Sequence, residues 1–273
     1  MKIAEIIAKL EAFHAPLPQR EHPTVDRVLF GDPDKACTGV AVTCWASAAV
    51  IRQAAQQGCN FIIAHEPLFF DHLDNPDWLA ENRVYQKKKA LLEETGMVVY
   101  RDHDHVHNDD PDRIFTGVVK ALGWAGYQEG HDFMAGVRFV LPAAMPAREV
   151  ARHVSRTMGV HGMRMWGDPD TPVQTVGFSA HFLAGPGDKA AINQIDQSGV
   201  DMVIPGEVID WTIGEYIMDA ETLGFGKVLL NLGHFNWEEP GMEDMARWLP
   251  DVIGPGVPVQ FIKSGDRFTF LEF

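Results

Sequence analysis

Phe61-Ile62-Ile63-Ala64-His65-Glu66-Pro67-Leu68-Phe69-Phe70 is the stretch that decides the fold. Four apolar residues after Gly58 and before a His-Glu pair read as a short strand buried on both faces. Pro67 has no N–H to give a ladder, so the strand is expected to stop there. His65 and Glu66 then stand just past its carboxyl end, where open α/β sheets hold their ligands. Upstream, Val40-Ala41-Val42 reads as another strand. Between them Ser47 is a good N-cap for a helix carrying Val50, Ile51 and Ala54 and closing at Gly58. This is a β-α-β unit, which gives parallel strands.

The pattern continues outward from that unit. Ile3, Ile6, Ile7, Leu10 and Phe13 have the spacing of a helix with one buried face, ended by Pro16 and Pro18. Residues 19 to 38 read as loop. Residues 78 to 95 read as a charged helix with Val84, Leu91 and Leu92 inside, stopped at Gly96. Met97 to Tyr100 is the next strand and runs straight into Arg101-Asp102-His103-Asp104-His105-Val106-His107, followed by a helix over 113–122.

A second block begins near Gly130, with strands expected near 137–141, 163–166, 175–178 and 201–204. Helices follow Pro146, Gly185-Pro186-Gly187 and residue 210, the last over 211–223. Val228 to Leu232 is a buried strand ending in Gly233-His234. Pro240 is expected to open a helix that Pro250 stops, and strands over 257–262 and 268–273 close the chain. The fold class is α/β, with two domains expected at 1–127 plus 226–273 and at 128–225.

Composition bounds the function. At 273 residues and 46% hydrophobic the chain can build a sizeable core. No apolar run approaches the roughly 20 residues of a membrane span. Met1-Lys2-Ile3-Ala4-Glu5 has no signal-peptide pattern, so a cytoplasmic protein is expected. A net charge of −15 argues against duplex nucleic acid as a partner, because phosphate binding needs clustered Lys and Arg. Cys37, Cys44 and Cys59 include no CxxC pair, so neither a disulfide framework nor a thiolate zinc site is indicated.

Three strand ends carry ligand-type residues: His65-Glu66, His103-x-His105-x-His107 and His234-x-x-x-Glu238. Imidazole with carboxylate suits zinc, manganese, iron or nickel. In an extended segment His103, His105 and His107 would share one face; a solvated loop is the plainer alternative. His234 and Glu238 are expected on the turn between strand and helix, since Pro240 would open the helix. Glu207, in Pro205-Gly206-Glu207, is a lesser candidate. His14, His22, His72, His131, His153, His161 and His181 are assigned to surface or core packing.

These motifs, in this order, resemble those of the Nif-three-like family, whose members carry the name GTP cyclohydrolase I type 2 homologue. The resemblance spans nearly the whole chain. The family's His-His-Pro-Leu corresponds to His65-Glu66-Pro67-Leu68, and its His-x3-Asp corresponds to His103 through His107. Its Thr-Gly-acid corresponds to Pro205-Gly206-Glu207, and its Gly-His-x3-Glu to Gly233-His234 and Glu238. One family His is Glu66 here and the family Asp is His107. The set His65, Glu66, His107, His234 and Glu238 therefore keeps three imidazoles and two carboxylates, with Asp104 as the alternative acid.

The resemblance implies two interlinked α/β domains with largely parallel sheets, a centre of two divalent metal ions at their junction, and a ring-shaped homohexamer. It also implies a hydrolase acting on a small molecule of the nucleotide kind. His103, not needed as a ligand, is the candidate proton carrier. Two other functions stay open: a metal-binding regulatory protein without turnover, and a mononuclear iron oxygenase using His65, His234 and Glu238.

Overall fold

Two five-stranded mixed sheets carry the chain, each belonging to its own compact unit. A computed structural model describes residues 1–19, 22–129, 136–266 and 268–271. The first unit contains Met1–Gly117 and Glu239–Ser264, the second Val118–Glu238 and Gly265–Phe273.

In the first unit, α1 (Ile3–Phe13) buries Ile3, Ile6, Ile7 and Leu10. Phe13, expected on that face, is 40% exposed and stacks on Trp248 instead. The segment read as loop contains a short strand, β1 (Val28–Phe30). Then come β2 (Val40–Thr43), α2 (Ala48–Gln56), β3 (Phe61–Ala64), α3 (Arg83–Thr95) and β4 (Val98–Arg101). β2, β3 and β4 are buried at every position, including Thr43 and Arg101 at the ends of β2 and β4.

Ser47 caps α2, its side chain accepting the Val50 N–H at 3.2 Å. The next helix starts later than its composition indicates. Asn82 accepts the N–H groups of Val84 and Tyr85 and fixes the start of α3 at Arg83, which turns Val84 outward to 64% exposure. Gly96 closes α3 in the left-handed conformation, φ +63°.

The strand order in this sheet is β1-β4-β3-β2-β10, where β10 is Val259–Phe261. All pairings are parallel except that of β1 with β4. Ile62, Val99, Ala41 and Ile262 pack with Val50, Ile51, Ala54 and Leu92 of the two helices. On the other face Tyr100 hydrogen-bonds Glu11 of α1 at 3.0 Å.

Beyond β4 lie α4 (Asp104–Asn108) and α5 (Arg113–Leu122). The second sheet, in the order β5-β7-β8-β9-β6, is built from β5 (Val137–Pro146), β6 (Arg164–Trp166), β7 (Pro172–Ser179), β8 (Met202–Pro205) and β9 (Val228–Asn231). β7, β8 and β9 are parallel; the two outer strands run antiparallel. Its helices are α6 (Ala147–Met158), α7 (Pro186–Ser198) and α8 (Glu215–Thr222), the last preceded by a π-type turn at Asp210–Gly214. Pro146 stands one residue ahead of α6, whose face of Val150, Val154 and Met158 is buried as its spacing requires.

The final helix, α9 (His234–Ile253), begins at His234 and contains both Pro240 and Pro250. Near the C-terminus, 268–271 form no strand, and 272–273 lie outside the described residues, as does His131. In the first unit α5 and α9 meet backbone to backbone: a Cβ on Gly117 would lie 2.4 Å from the Pro240 carbonyl oxygen, and one on Gly241 2.5 Å from Ile114 Cα.

His14, read from sequence as a packing residue, is buried between two carboxylates. Its Nδ1 donates to Asp109 at 2.7 Å and its Nε2 to Asp102 at 3.1 Å, so both nitrogens carry protons. Burial opposes the charge, but the two carboxylates outweigh it and raise the pKa above 6.5. A raised folded-state pKa means that the stabilisation is complete below the unfolded value and is lost as pH rises through the folded one. His14→Gln should therefore cost about 1–3 kcal/mol at about pH 5.5 and distinctly less at about pH 9. Urea titrations of both proteins at the two pH values check this; equal differences would mean that His14 is uncharged.

Candidate functional site

β3 and β4 are parallel neighbours with Ala64 opposite Arg101, so the residues that follow them emerge at one sheet edge. The His65 and Glu66 N–H groups still bond the Cys44 carbonyl at the end of β2, at 3.0 and 2.8 Å, which holds both residues close to the sheet. Across the gap, Asp102 N–H donates to the Ala64 carbonyl at 2.9 Å.

His103, His105 and His107 do not alternate along an extended segment. Asp26 turns them into a helix. Its Oδ1 accepts the N–H groups of His103 and Asp104 at 2.8 and 2.9 Å, and its Oδ2 the N–H of His105 at 2.8 Å. These are the donors that a helix N-terminus leaves open. On the resulting turn, His103 and His107 lie four apart on one side, and His105 turns back to Asp26, with Nδ1 at 2.6 Å.

The turn brings His103 and His107 against His65. Ring centroids are 4.7 Å apart for His65–His103, 5.0 Å for His65–His107 and 5.1 Å for His103–His107. One nitrogen from each ring lies within 4.8 Å of the others, and together the three can hold a metal ion. The outer nitrogens are anchored. Nδ1 of His65 bonds the Asp102 carbonyl at 3.1 Å, that of His103 the Asp104 carboxylate at 3.1 Å, and that of His107 the Asp112 carboxylate at 2.7 Å. A carbonyl or carboxylate only accepts, so each Nδ1 carries the proton and each Nε2 the lone pair. Burial lowers the His103 pKa to about 4, aided by His65 and His107 against the opposing Asp104, and the ring is neutral near neutral pH.

Glu66 is buried, with Oε2 3.7 Å from the guanidinium of Arg101. Arg101, itself without exposure, donates to the carbonyls of His65 and His72 at 2.9 and 2.6 Å. Asp26, Asp102 and His105 also approach one another. There Asp26 serves α4, and Asp102 Oδ2 accepts from His14.

The second unit holds its own group. Gly233, at φ +88°, turns the chain from β9 into α9, and Trp237 N–H bonds its carbonyl at 3.1 Å. His234 and Glu238 thus lie on the first turns of the helix itself, four residues apart, and not on a strand-to-helix turn as the prolines imply. Pro240 is accommodated inside the helix. His234 Nε2 is 3.0 Å from Glu238, and its Nδ1 is 3.2 Å from Glu207. That contact from His234 holds Glu207 below the usual carboxylate range.

His181 completes the group, 3.9 Å from Glu238 and with its ring 4.2 Å from that of His234. Sequence reasoning left it among the packing residues. It follows β7 as His65 follows β3, but no ligand-type neighbour marks it. Gly206 makes room for it, since a Cβ there would lie 2.5 Å from the His181 ring. His181, His234 and Glu238 can together hold a metal ion.

The sequence profile of Duf34/NIF3 (NGG1p interacting factor 3) matches residues 1–266. The chain belongs to the NIF3 family. A GTP cyclohydrolase 1 type 2 homolog of Clostridium perfringens is 24% identical over 278 residues, covering 100% of both chains. A Staphylococcus aureus hypothetical protein shares the fold at 17% identity and a TM-score of 0.72, covering 100% of this chain and 99% of that one. A Bacillus cereus protein related to NIF3 does so at 18% and 0.71, covering 99% of each.

For this NIF3 protein, the residues fit divalent metal ions. One group offers imidazoles whose tautomers are set by outer acceptors; the other offers imidazoles with a buried carboxylate. Neither contains a cysteine. Among the described residues, no helix is long and apolar enough to cross a membrane.

Proposed function

We propose that this NIF3 protein is a metal-dependent hydrolase using two divalent ions and acting on a nucleotide-like small molecule. The observation that carries the reading is the trio His65, His103 and His107, each with Nδ1 tied to an acceptor, which gives Nε2 the lone pair that a metal ion needs. Glu66 is the further ligand candidate beside them; His234 and Glu238, joined by His181, form the second set. When bound, two such ions supply Lewis acidity toward a phosphoryl or carbonyl oxygen and make water a stronger acid. His103, neutral and close to both His65 and His107, can serve as a third imidazole ligand or accept a proton. The nucleotide assignment rests on the name of the Clostridium perfringens relative. A homohexamer belongs to the same reading and is checked by light scattering.

The buried contact of Glu66 with Arg101 favours a second reading, a metal-binding regulatory protein without turnover, because the guanidinium competes with an ion for that carboxylate.

Elemental analysis of protein purified without a tag should find about two ions per chain, lost in His65→Ala and in Glu238→Ala. In His103→Ala, reduced metal content would make His103 a ligand, and full content with lost turnover would make it the proton carrier. Metal-loaded protein should hydrolyse GTP or a related nucleotide. Bound metal without turnover of any nucleotide, and without effect of Glu238→Gln, would leave the regulatory reading.

A further inference from the structure

One cavity of the first unit, lined by none of the site histidines, has a composition at odds with the rest of the chain. Its volume is about 630 Å³, inside the roughly 300–1,000 Å³ usual for small-molecule sites. Arg52 of α2 and Arg83, Lys87 and Lys88 of α3 meet there with Trp45 and Phe70, and no acidic residue is among the described lining. In a protein of net charge −15, four cations without a carboxylate are unexpected. Arg52, Arg83 and Lys87 are exposed, and no ion pair engages them among the described residues.

The inner wall is built rather than incidental. Lys88 is only 5% exposed, donates to the Leu68 carbonyl at 2.6 Å, and lies 5.1 Å from the Trp45 ring centroid and 5.4 Å from that of Phe70. Burial lowers its pKa to about 8, against the pull of Asp74. Phe70 sits at φ +68°, a conformation that a bulky residue adopts only under constraint, and it is 47% exposed. Strain of this kind clusters at ligand clamps. Here it keeps an aromatic ring in solvent at the rim of a cationic cavity.

We propose that this cavity binds a small anion carrying a flat ring, of the nucleoside monophosphate kind. Arg52, Arg83 and Lys87 meet the phosphate, and Trp45 with Phe70 meets the ring. The lining includes none of the site histidines, and the proposal does not rest on the hydrolase reading.

Chelator-treated protein, titrated with AMP and followed by calorimetry and tryptophan fluorescence, should bind saturably. Adenosine and ribose 5-phosphate, each with half of the recognised chemistry, should bind more weakly. The double variant Arg83→Glu/Lys87→Glu should weaken AMP binding about tenfold or more, and raised salt should weaken it in the wild type. Phe70→Gly should also weaken binding yet melt no lower, because glycine accepts the positive φ. His65→Ala should bind AMP as the wild type does.

No AMP binding by about 1 mM, or binding untouched by the double charge reversal, would overturn the proposal. Ribose 5-phosphate binding as tightly as AMP would overturn the ring assignment. Loss of binding in His65→Ala would move the ligand to the histidine groups and overturn the separate site.

Discussion

Arg101→Met should lower the unfolding free energy by about 3–5 kcal/mol, the usual loss when one partner of a buried charge pair is removed. Arg101 has no exposed surface. It donates to the carbonyls of His65 and His72, and its third nitrogen faces the carboxylate of Glu66. Methionine fills similar volume, so the loss is not a cavity effect. It comes from a buried carboxylate without its cation and carbonyls without a donor. Because His65 and His72 hang on the same guanidinium, the metal-binding edge should loosen as well. Adding Glu66→Leu should recover much of the stability, since an apolar pair can replace a buried ion pair. Urea unfolding of the three proteins decides it. A single variant as stable as the wild type would mean that the pair contributes nothing.

Asp26→Ala should cost about 2–3 kcal/mol and most of the metal bound by the first group, although Asp26 is not in the His65 trio. Its carboxylate accepts three successive backbone N–H groups and the His105 ring. Without it the first turn of α4 has open donors, and the chain over His103 to His107 can relax toward extended conformation. Extended, His103 and His107 are no longer related by a helical turn and need not both face His65. Asp26→Asn keeps one acceptor oxygen and should fall between. Elemental analysis with thermal melting separates the effects; full metal content in Asp26→Ala would show that the trio forms without its cap.

The strands β2, β3 and β4, the Ser47 cap and the Gly96 stop are legible because each is decided within a few residues by apolar run, cap or left-handed glycine. His65 is legible because it ends such a run. The geometry of His103–His107 is not, because the carboxylate that makes it helical comes from Asp26, about 80 residues earlier. α9 begins before Pro240 although proline disfavours helix interiors, so His234 and Glu238 join a helix that local rules start later. Val84 lies outside because Asn82 shifted the helix start, and His181 was hidden because its partners lie on distant segments. The motifs point to the family; the partners of Glu66 and His107 within them, Arg101 and Asp112, are set by the fold.

The pairing of β10 with β2 has a consequence for how the protein is made. Val259, Gln260 and Phe261 pair in parallel with Val40, Ala41 and Val42, and Thr43 meets Ser264 at 3.1 Å across 221 residues of chain. A ribosome adding about 5–20 residues per second takes roughly 10–40 s between the two strands. During that interval the nascent first sheet has an apolar strand with an open edge, the form of β structure most prone to pair with a foreign chain. Fragments ending before Val259 inherit that edge permanently. Synthesis of Val259–Phe261 thus covers the edge of the fully buried β2 with a short strand that is only half-buried.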